Sequence, residues 1–317
     1  TKVGFLVAYA QRYITSAGHA EQPMRLRCQR IEYDRDAQTL TKIGSTVTIF
    51  QNSRWTLGLG HSAHVALIRL KSGRIVCIFS DEVGVSGDLN NADSRRDLKS
   101  TYSDDLGLTW STPVTLLTAT PGAGNDYARI LGSREVIYFD DPDSPYYGRW
   151  VTTLYGPDGR VRCIYSTNGF VSSCTEGALV TVPVGYEPNE ASAALRSDGV
   201  IVVSSRSASP TQPTEIDTRV WMTSGDGGAT LTWIGEQSGY TGQPAMGAFI
   251  NLSPDGGEGP YGGLVHGAPA SSTTRSDYQI RNVNGATGAF SGGYRPFTTD
   301  RYVSYSHLID IDGEEVL

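Results

Sequence analysis

The 317-residue chain carries 37 glycines and 15 prolines against only 19% charged residues, a density of chain-turning residues that excludes long helices and points to an all-β protein. Its formal net charge of −7 excludes a general nucleic-acid binder, which needs a basic surface, and leaves room for a local cationic pocket that takes an acidic substrate. No run approaches the roughly eighteen apolar residues of a membrane span, so no membrane partner is expected, and "TKVGFLVAYAQRY" lacks the charged leader and cleavage site of a signal peptide.

In chain order, strands are expected within residues 1–50 and then in units of about sixty residues. Strand-length apolar segments run into small turns at "LKSGRIV", "LGSREVI", "LRSDGVIV", "LSPDGGEG" and "IDIDGEEVL". The turn residues Gly73, Ser133, Gly199, Gly256 and Gly313 follow one another at intervals of 60, 66, 57 and 57 residues. Units of this size, holding three or four strands, are the blades of a β-propeller. Four blades are expected over residues 61–118, 125–182, 188–238 and 244–297. A fifth would pair residues 304–317 with strands from 1–50 and close the ring through the termini, making one propeller domain of residues 1–317.

Within these units "SDDLGLTW" sets Ser103, Asp105, Gly107, Thr109 and Trp110 in an alternating frame. "SGDGGATLTW" repeats Ser224, Asp226, Gly228 and Thr230 with the tryptophan displaced to Trp233, and "STNGFVSS" from Ser166 is a worn copy. Asp and Ser side chains satisfy the backbone of a tight hairpin, Gly supplies positive φ, and the aromatic pins the turn to its sheet. Between the first and second of these turns, "DDPDSPYYGRW" gathers Asp140, Asp141 and Asp143; an acidic loop is favoured over a calcium site, and Tyr146, Tyr147 and Trp150 would form a sugar-stacking rim if the loop lay on the axial face. Cys28, Cys77, Cys163 and Cys174 lack zinc spacing, so no metal is expected; the pair in "CIYSTNGFVSSC" is either a cross-strand disulfide or two half-buried thiols. His19, His61, His266 and His307 lack ligand spacing and are expected at the surface or in supporting positions.

Nine residues before each turn stand His64, Gly124, Glu190, Gly247 and Ser304, with Tyr305 beside the last, a ring of polar or small side chains where the innermost strands begin. The hairpin "NEASAALRSDGVIVVSSR" opens on Glu190 and closes on Arg206, so antiparallel pairing brings the two to one rim.

The frame S-x-D-x-G-x-T-W resembles the Asp-box of the sialidase (neuraminidase) family, and the resemblance runs from about residue 60 to the C-terminus. It implies a propeller that normally has six blades, against the five units counted here. It also implies a site: Glu190 and Arg206 match the family's "NE…R" hairpin, Arg275 in "HGAPASSTTRS" matches another arginine of the carboxylate-gripping triad, and Tyr305 in "VSYSHLIDIDG" matches the nucleophile. The first triad arginine has no counterpart, since "HSAHVALIRL" puts Ala63 or His64 in its place; Arg95 or Arg96 could substitute from the neighbouring loop. The general acid falls to Asp93, ten residues before Ser103, with Asp88 as runner-up, while Asp97 reads as a strand residue.

Such types belong together chemically. A glycoside with a carboxylate at its anomeric carbon passes through an oxocarbenium-like state, and a neutral phenol approaches that anion with less repulsion than a carboxylate would. Glutamate accepts the phenolic proton, and guanidinium forks bind the carboxylate in charge-assisted pairs. The reading is a cofactor-free glycoside hydrolase, exo- or endo-acting, on sialic acid or a related acidic 2-keto sugar, extracellular, secreted or virion-associated like a phage tailspike. The incomplete clamp fits the phage endosialidase-like branch. Two other classes stay open: a propeller polysaccharide lyase using His64 with tyrosine and arginine on a uronate, and a glycan-binding propeller without turnover.

Overall fold

The computed structural model describes residues 2–12, 24–52, 62–83, 95–119, 130–132, 135–156, 160–208, 218–237, 247–251, 263–269, 278–294, 310–311 and 315–316. All regular elements among them are strands. The chain divides into two compact units, one comprising Thr1–Leu131 with Asn168–Cys174 and the other Gly132–Thr167 with Thr175–Leu317.

In the first unit β1 (Lys2–Arg12), β2 (Met24–Asp34) and β3 (Thr39–Phe50) form an antiparallel three-stranded sheet in that order. A second sheet follows as β4 (Ser62–Arg69), β5 (Ile75–Val83), β6 (Arg95–Ser103) and β7 (Val114–Leu117), and the Leu131 amide of β8 (Ile130–Leu131) donates to the Ser80 hydroxyl at 3.0 Å. Alternation explains the core between these sheets: Leu26 and Cys28 of β2 turn inward to meet Val65, Cys77 and Phe79.

The second unit begins with β9 (Ile137–Tyr138), β10 (Trp150–Tyr155), β11 (Val161–Ser166) and β12 (Thr175–Glu176), with β9 and β11 both paired to β10 and β12 to β11. Next come the meanders β13 (Glu187–Leu195), β14 (Ile201–Ala208), β15 (Thr218–Ser224), β16 (Thr232–Glu236) and β17 (Ala248–Asn251), β18 (Leu264–Pro269), β19 (Tyr278–Val283), β20 (Phe290–Tyr294). The short strands β21 (Asp310–Ile311) and β22 (Glu315–Val316) pair with each other. The expected closure of residues 304–317 onto 1–50 depends mostly on 304–309 and 312–314, which lie outside the described residues.

The sheet β13–β16 is covered on both faces, which is why its strands read as nearly unbroken small or apolar runs. Ala191, Ala193, Val203, Val220 and Met222 pack with Val151 and Cys163, while Ala194, Val202 and Trp221 on the other face pack with Phe249 and Leu264.

The full turn motif and the copy with the displaced tryptophan form the same hydrogen-bond pattern. Ser103 Oγ donates to Asp105 Oδ1 at 2.8 Å and accepts from the Gly107 amide at 2.8 Å, and Asp105 accepts from the Thr109 amide and hydroxyl at 2.8 and 2.6 Å. In the second copy Ser224 and Asp226 make the corresponding bonds to Gly228 and Thr230 at 2.8, 3.0, 2.9 and 2.6 Å. The bonds from the Thr109 hydroxyl and amide and the Ser103 hydroxyl lower the Asp105 carboxyl to about 2; burial pushes Asp226 up, but its Thr230 and Ser224 partners outweigh this and leave it lowered. All three copies place two successive residues in the left-handed region, at Leu106 and Gly107 (φ 58° and 83°), Gly169 and Phe170 (68° and 61°) and Gly227 and Gly228 (65° and 90°). The worn copy therefore keeps the backbone shape while a buried Phe170 takes the strained position that glycine fills in the others.

The rim envisaged for Tyr146, Tyr147 and Trp150 does not form beside the Glu190 hairpin. The Tyr146 hydroxyl donates to Gly225 O at 3.2 Å and Arg149 Nη1 to Gly227 O at 2.9 Å, on the turn after β15, which lies where β14 begins and hence at the opposite end of that sheet from Arg206. Trp150 packs instead on Tyr138 with ring centroids 4.3 Å apart. None of the four cysteines is in a disulfide, so the bridge considered for Cys163 and Cys174 is not made; Cys163 is core, and burial pushes its thiol up to about 12.

Candidate active site

The site begins with a local irregularity in β13. Pro188 pairs with Ser207 and Ala191 with Ser205, so Asn189 and Glu190 together oppose the single residue Arg206. This is a β-bulge, a device that re-aims side chains at a strand end. Asn189 Oδ1 accepts the Glu190 amide at 2.7 Å, and Ser205 Oγ donates to Asn189 O at 3.0 Å. With its backbone so held, Glu190 directs its carboxylate to Arg206, whose Nη1 donates to Glu190 Oε2 at 3.3 Å. The carboxylate side chain is 8% exposed and the guanidinium side chain 27%, so the acid is the more deeply buried partner and the base the more open one.

A buried polar relay backs the pair. Across the β14–β15 ladder Arg206 stands opposite Arg219, which is 1% exposed and turned to Ser204: Nε donates to Ser204 Oγ at 2.9 Å and Nη2 to Ser204 O at 3.1 Å. Ser204 Oγ donates onward to Gln237 Oε1 at 2.5 Å, and Gln237 Nε2 to Gly288 O at 2.9 Å. Arg219 is too deep to touch a ligand. It adds a fixed positive charge beneath Arg206, where the low local dielectric strengthens its pull on an anion.

Sequence reasoning missed this relay, although the strand "TRVWMTS" carries a signal: Arg219 is in phase with the buried Trp221 and so faces the same interior. His266, expected at the surface or in a supporting position, is not at the surface: it is 2% exposed in β18, with its ring between Phe249 and Phe290 at centroid distances of 5.9 and 5.4 Å. Its Nε2 has no hydrogen-bond partner among the described residues and lies against Gly247, where a Cβ would collide with the ring. Burial, reinforced by Arg219 and Arg281, lowers the His266 pKa well below the usual imidazole value. The unfolded chain takes up this proton near pH 6.5 and the native chain resists it, so the contribution is complete above that pH and falls away below it, by up to about 1.4 kcal/mol per pH unit. Urea midpoints at pH 7.5 and 5.0 should therefore lie closer together in His266→Leu than in the parent; equal separations would show that this imidazole does not govern acid stability.

The other expected site residues divide by location. His64, in the first unit, is half-buried with φ 54° where β4 bulges against β5 between Ala63 and Ala66, again two residues facing one. Arg95 opens β6 opposite Val83. Asp97 is a buried strand residue whose carboxylate accepts the Ala119 amide at 2.9 Å. Beside it lies a second buried polar group that sequence reasoning also missed: Asp81 accepts from Asn52 at 2.8 Å and from Lys99 at 2.6 Å. Asp88, Asp93, Arg275 and Tyr305 lie outside the described residues. Among the described residues no cluster has the make-up of a metal site, and no helix is long and apolar enough to cross a membrane.

No known protein family matches the sequence, and no curated protein is similar to it. The structure, by contrast, is similar to solved sialidases. It aligns with Hadza microbial sialidase Hz136 at TM-score 0.74 and 18% identity over 99% of this chain and 60% of that one. The NanB sialidase from Streptococcus pneumoniae aligns at TM-score 0.67 and 11% identity over 99% and 62%. The intramolecular trans-sialidase from Ruminococcus gnavus, solved with oseltamivir carboxylate, aligns at 0.67 and 14% over 99% and 86%. The likeness shows the fold, an all-β propeller of the sialidase type, and the chain spans about 60% of the length of the first of these proteins.

Proposed function

We propose that this chain is a glycoside hydrolase of the sialidase type that cleaves bonds of sialic acid or a related acidic 2-keto sugar. The observation that carries this reading is the bulge-aimed contact of a buried Glu190 with a more open Arg206 at 3.3 Å, on a fold shared with sialidases. Arg206 binds the substrate carboxylate together with Arg275, supported by the buried charge of Arg219. Arg95 or His64 occupies the place of the clamp's absent member. The Tyr305 oxygen attacks the anomeric carbon as its phenolic proton passes to Glu190, while Asp93, or Asp88 in its stead, protonates the departing oxygen. Water, giving up a proton to that same aspartate, then attacks the anomeric carbon and breaks the glycosyl–tyrosine bond, the departing tyrosine oxygen takes its proton back from Glu190, and no cofactor is consumed. One propeller over residues 1–317, closed by its terminal strands, would carry these groups to a common mouth, with an extracellular acidic glycan or polysaccharide as substrate.

Incubation with sialyllactose, polysialic acid and a uronate polysaccharide tests the class directly. The expected result is a reducing nonulosonic acid or oligomer from the first two, with no ultraviolet-absorbing product. A conjugated unsaturated uronate would establish the lyase reading instead, and tight binding of every acidic glycan without product would establish a binding module.

A further inference from the structure

The core between the two sheets of the first unit stops before the sheets do. Along the face of β2 turned toward β4 and β5 the alternation runs Leu26, Cys28, Arg30, Glu32, and along β4 it runs Val65, Leu67, Arg69. Where apolar side chains meet across this gap the interior is closed; where Arg30 and Arg69 take the next positions it opens into a cleft of about 500 Å³. Its walls are otherwise mostly apolar, from Leu6, Ile43, Leu67 and Leu106, and Ile43 and Leu106 remain 39% and 56% exposed. The volume falls within the range of small-molecule sites, about 300–1,000 Å³.

The charge in this cleft is one-sided. Its carboxylate, Glu32, is held by Lys2 at 2.6 Å, whereas neither Arg30 nor Arg69 makes an ion pair among the described residues. Arginine at the end of a strand face ordinarily reaches into water, but here two guanidiniums flank an open apolar surface, and that combination complements a molecule with a hydrocarbon body and an anionic end. We propose that this cleft is a binding site for a small amphipathic carboxylate, its chain against Leu6, Leu67 and Leu106 and its headgroup between Arg30 and Arg69. The site is built from β1–β5 and the turn after β6, and it is independent of Glu190 and Arg206.

Isothermal titration of the whole chain with decanoate, and with decylammonium of the same chain length, tests the proposal. Decanoate should saturate one site, and Arg30→Ala or Arg69→Ala should each weaken it about ten-fold, the order of a lost charge-assisted bond, while circular dichroism stays unchanged. Decylammonium should not bind. Arg69 is exposed, so its replacement keeps the test informative even if Arg30→Ala fails to fold. Absence of decanoate binding, equal binding of the cation, or affinity unchanged in Arg69→Ala would each overturn the assignment.

Discussion

Tyr305→Phe is expected to abolish turnover of a sialoside, by about a thousand-fold or more in kcat, while leaving KM within a few-fold of the parent. The substitution removes the attacking oxygen and keeps the ring, so it deletes a group that acts only in the transition state. Glu190→Gln should behave alike by a different route. The amide cannot take the phenolic proton, and an unassisted tyrosine loses its proton only near pH 10, so the residual rate of this variant should rise toward alkaline pH as hydroxide does the work of the missing base. A merely structural Glu190 would give no such recovery. His64→Ala is the companion that separates mechanisms: a hydrolase of this kind loses binding at most, whereas a lyase using His64 as its base loses all turnover. Full activity in Tyr305→Phe with a dead His64→Ala would remove the tyrosine mechanism.

Arg206→Ala is expected to lower kcat/KM by about a hundred- to a thousand-fold, since it removes a charge-assisted partner of the substrate carboxylate at a partly desolvated position. The loss should appear mainly in KM, in contrast to Tyr305→Phe, because the carboxylate is present in both ground and transition states. The same variant leaves the nearly buried Glu190 carboxylate without the guanidinium 3.3 Å away. Arg206→Lys should restore part of the binding as a point charge but not the forked geometry. An Arg206→Ala enzyme that kept its KM would place the carboxylate elsewhere.

Much of this protein was legible in its sequence because the deciding interactions are local. A strand, a tight turn and a returning strand are specified by residues within a dozen positions, so the repeat of small turns announced a β-propeller, and the turn-side Ser and Asp residues satisfy the backbone a few residues away. The hairpin from Glu190 to Arg206 belongs to the same class: the strands β13 and β14 flank a turn at 196–199, and antiparallel pairing alone carries its two ends together. The bulge that sets Asn189 and Glu190 against Arg206 was not legible, since a one-residue slip in pairing depends on what both faces of the strand must bury. The depth of His266 was equally hidden, and that of Arg219 was signalled only by its phase with Trp221. Each is polar in its own sequence window, and only packing between the sheets β13–β16 and β17–β20 shuts water out, turning one into a fixed charge and the other into an acid-sensitive ring. The Arg30–Arg69 cleft shows the same division, for the strand alternation names the face on which those arginines lie, but whether that face is closed or open is decided by how far a second sheet extends over it.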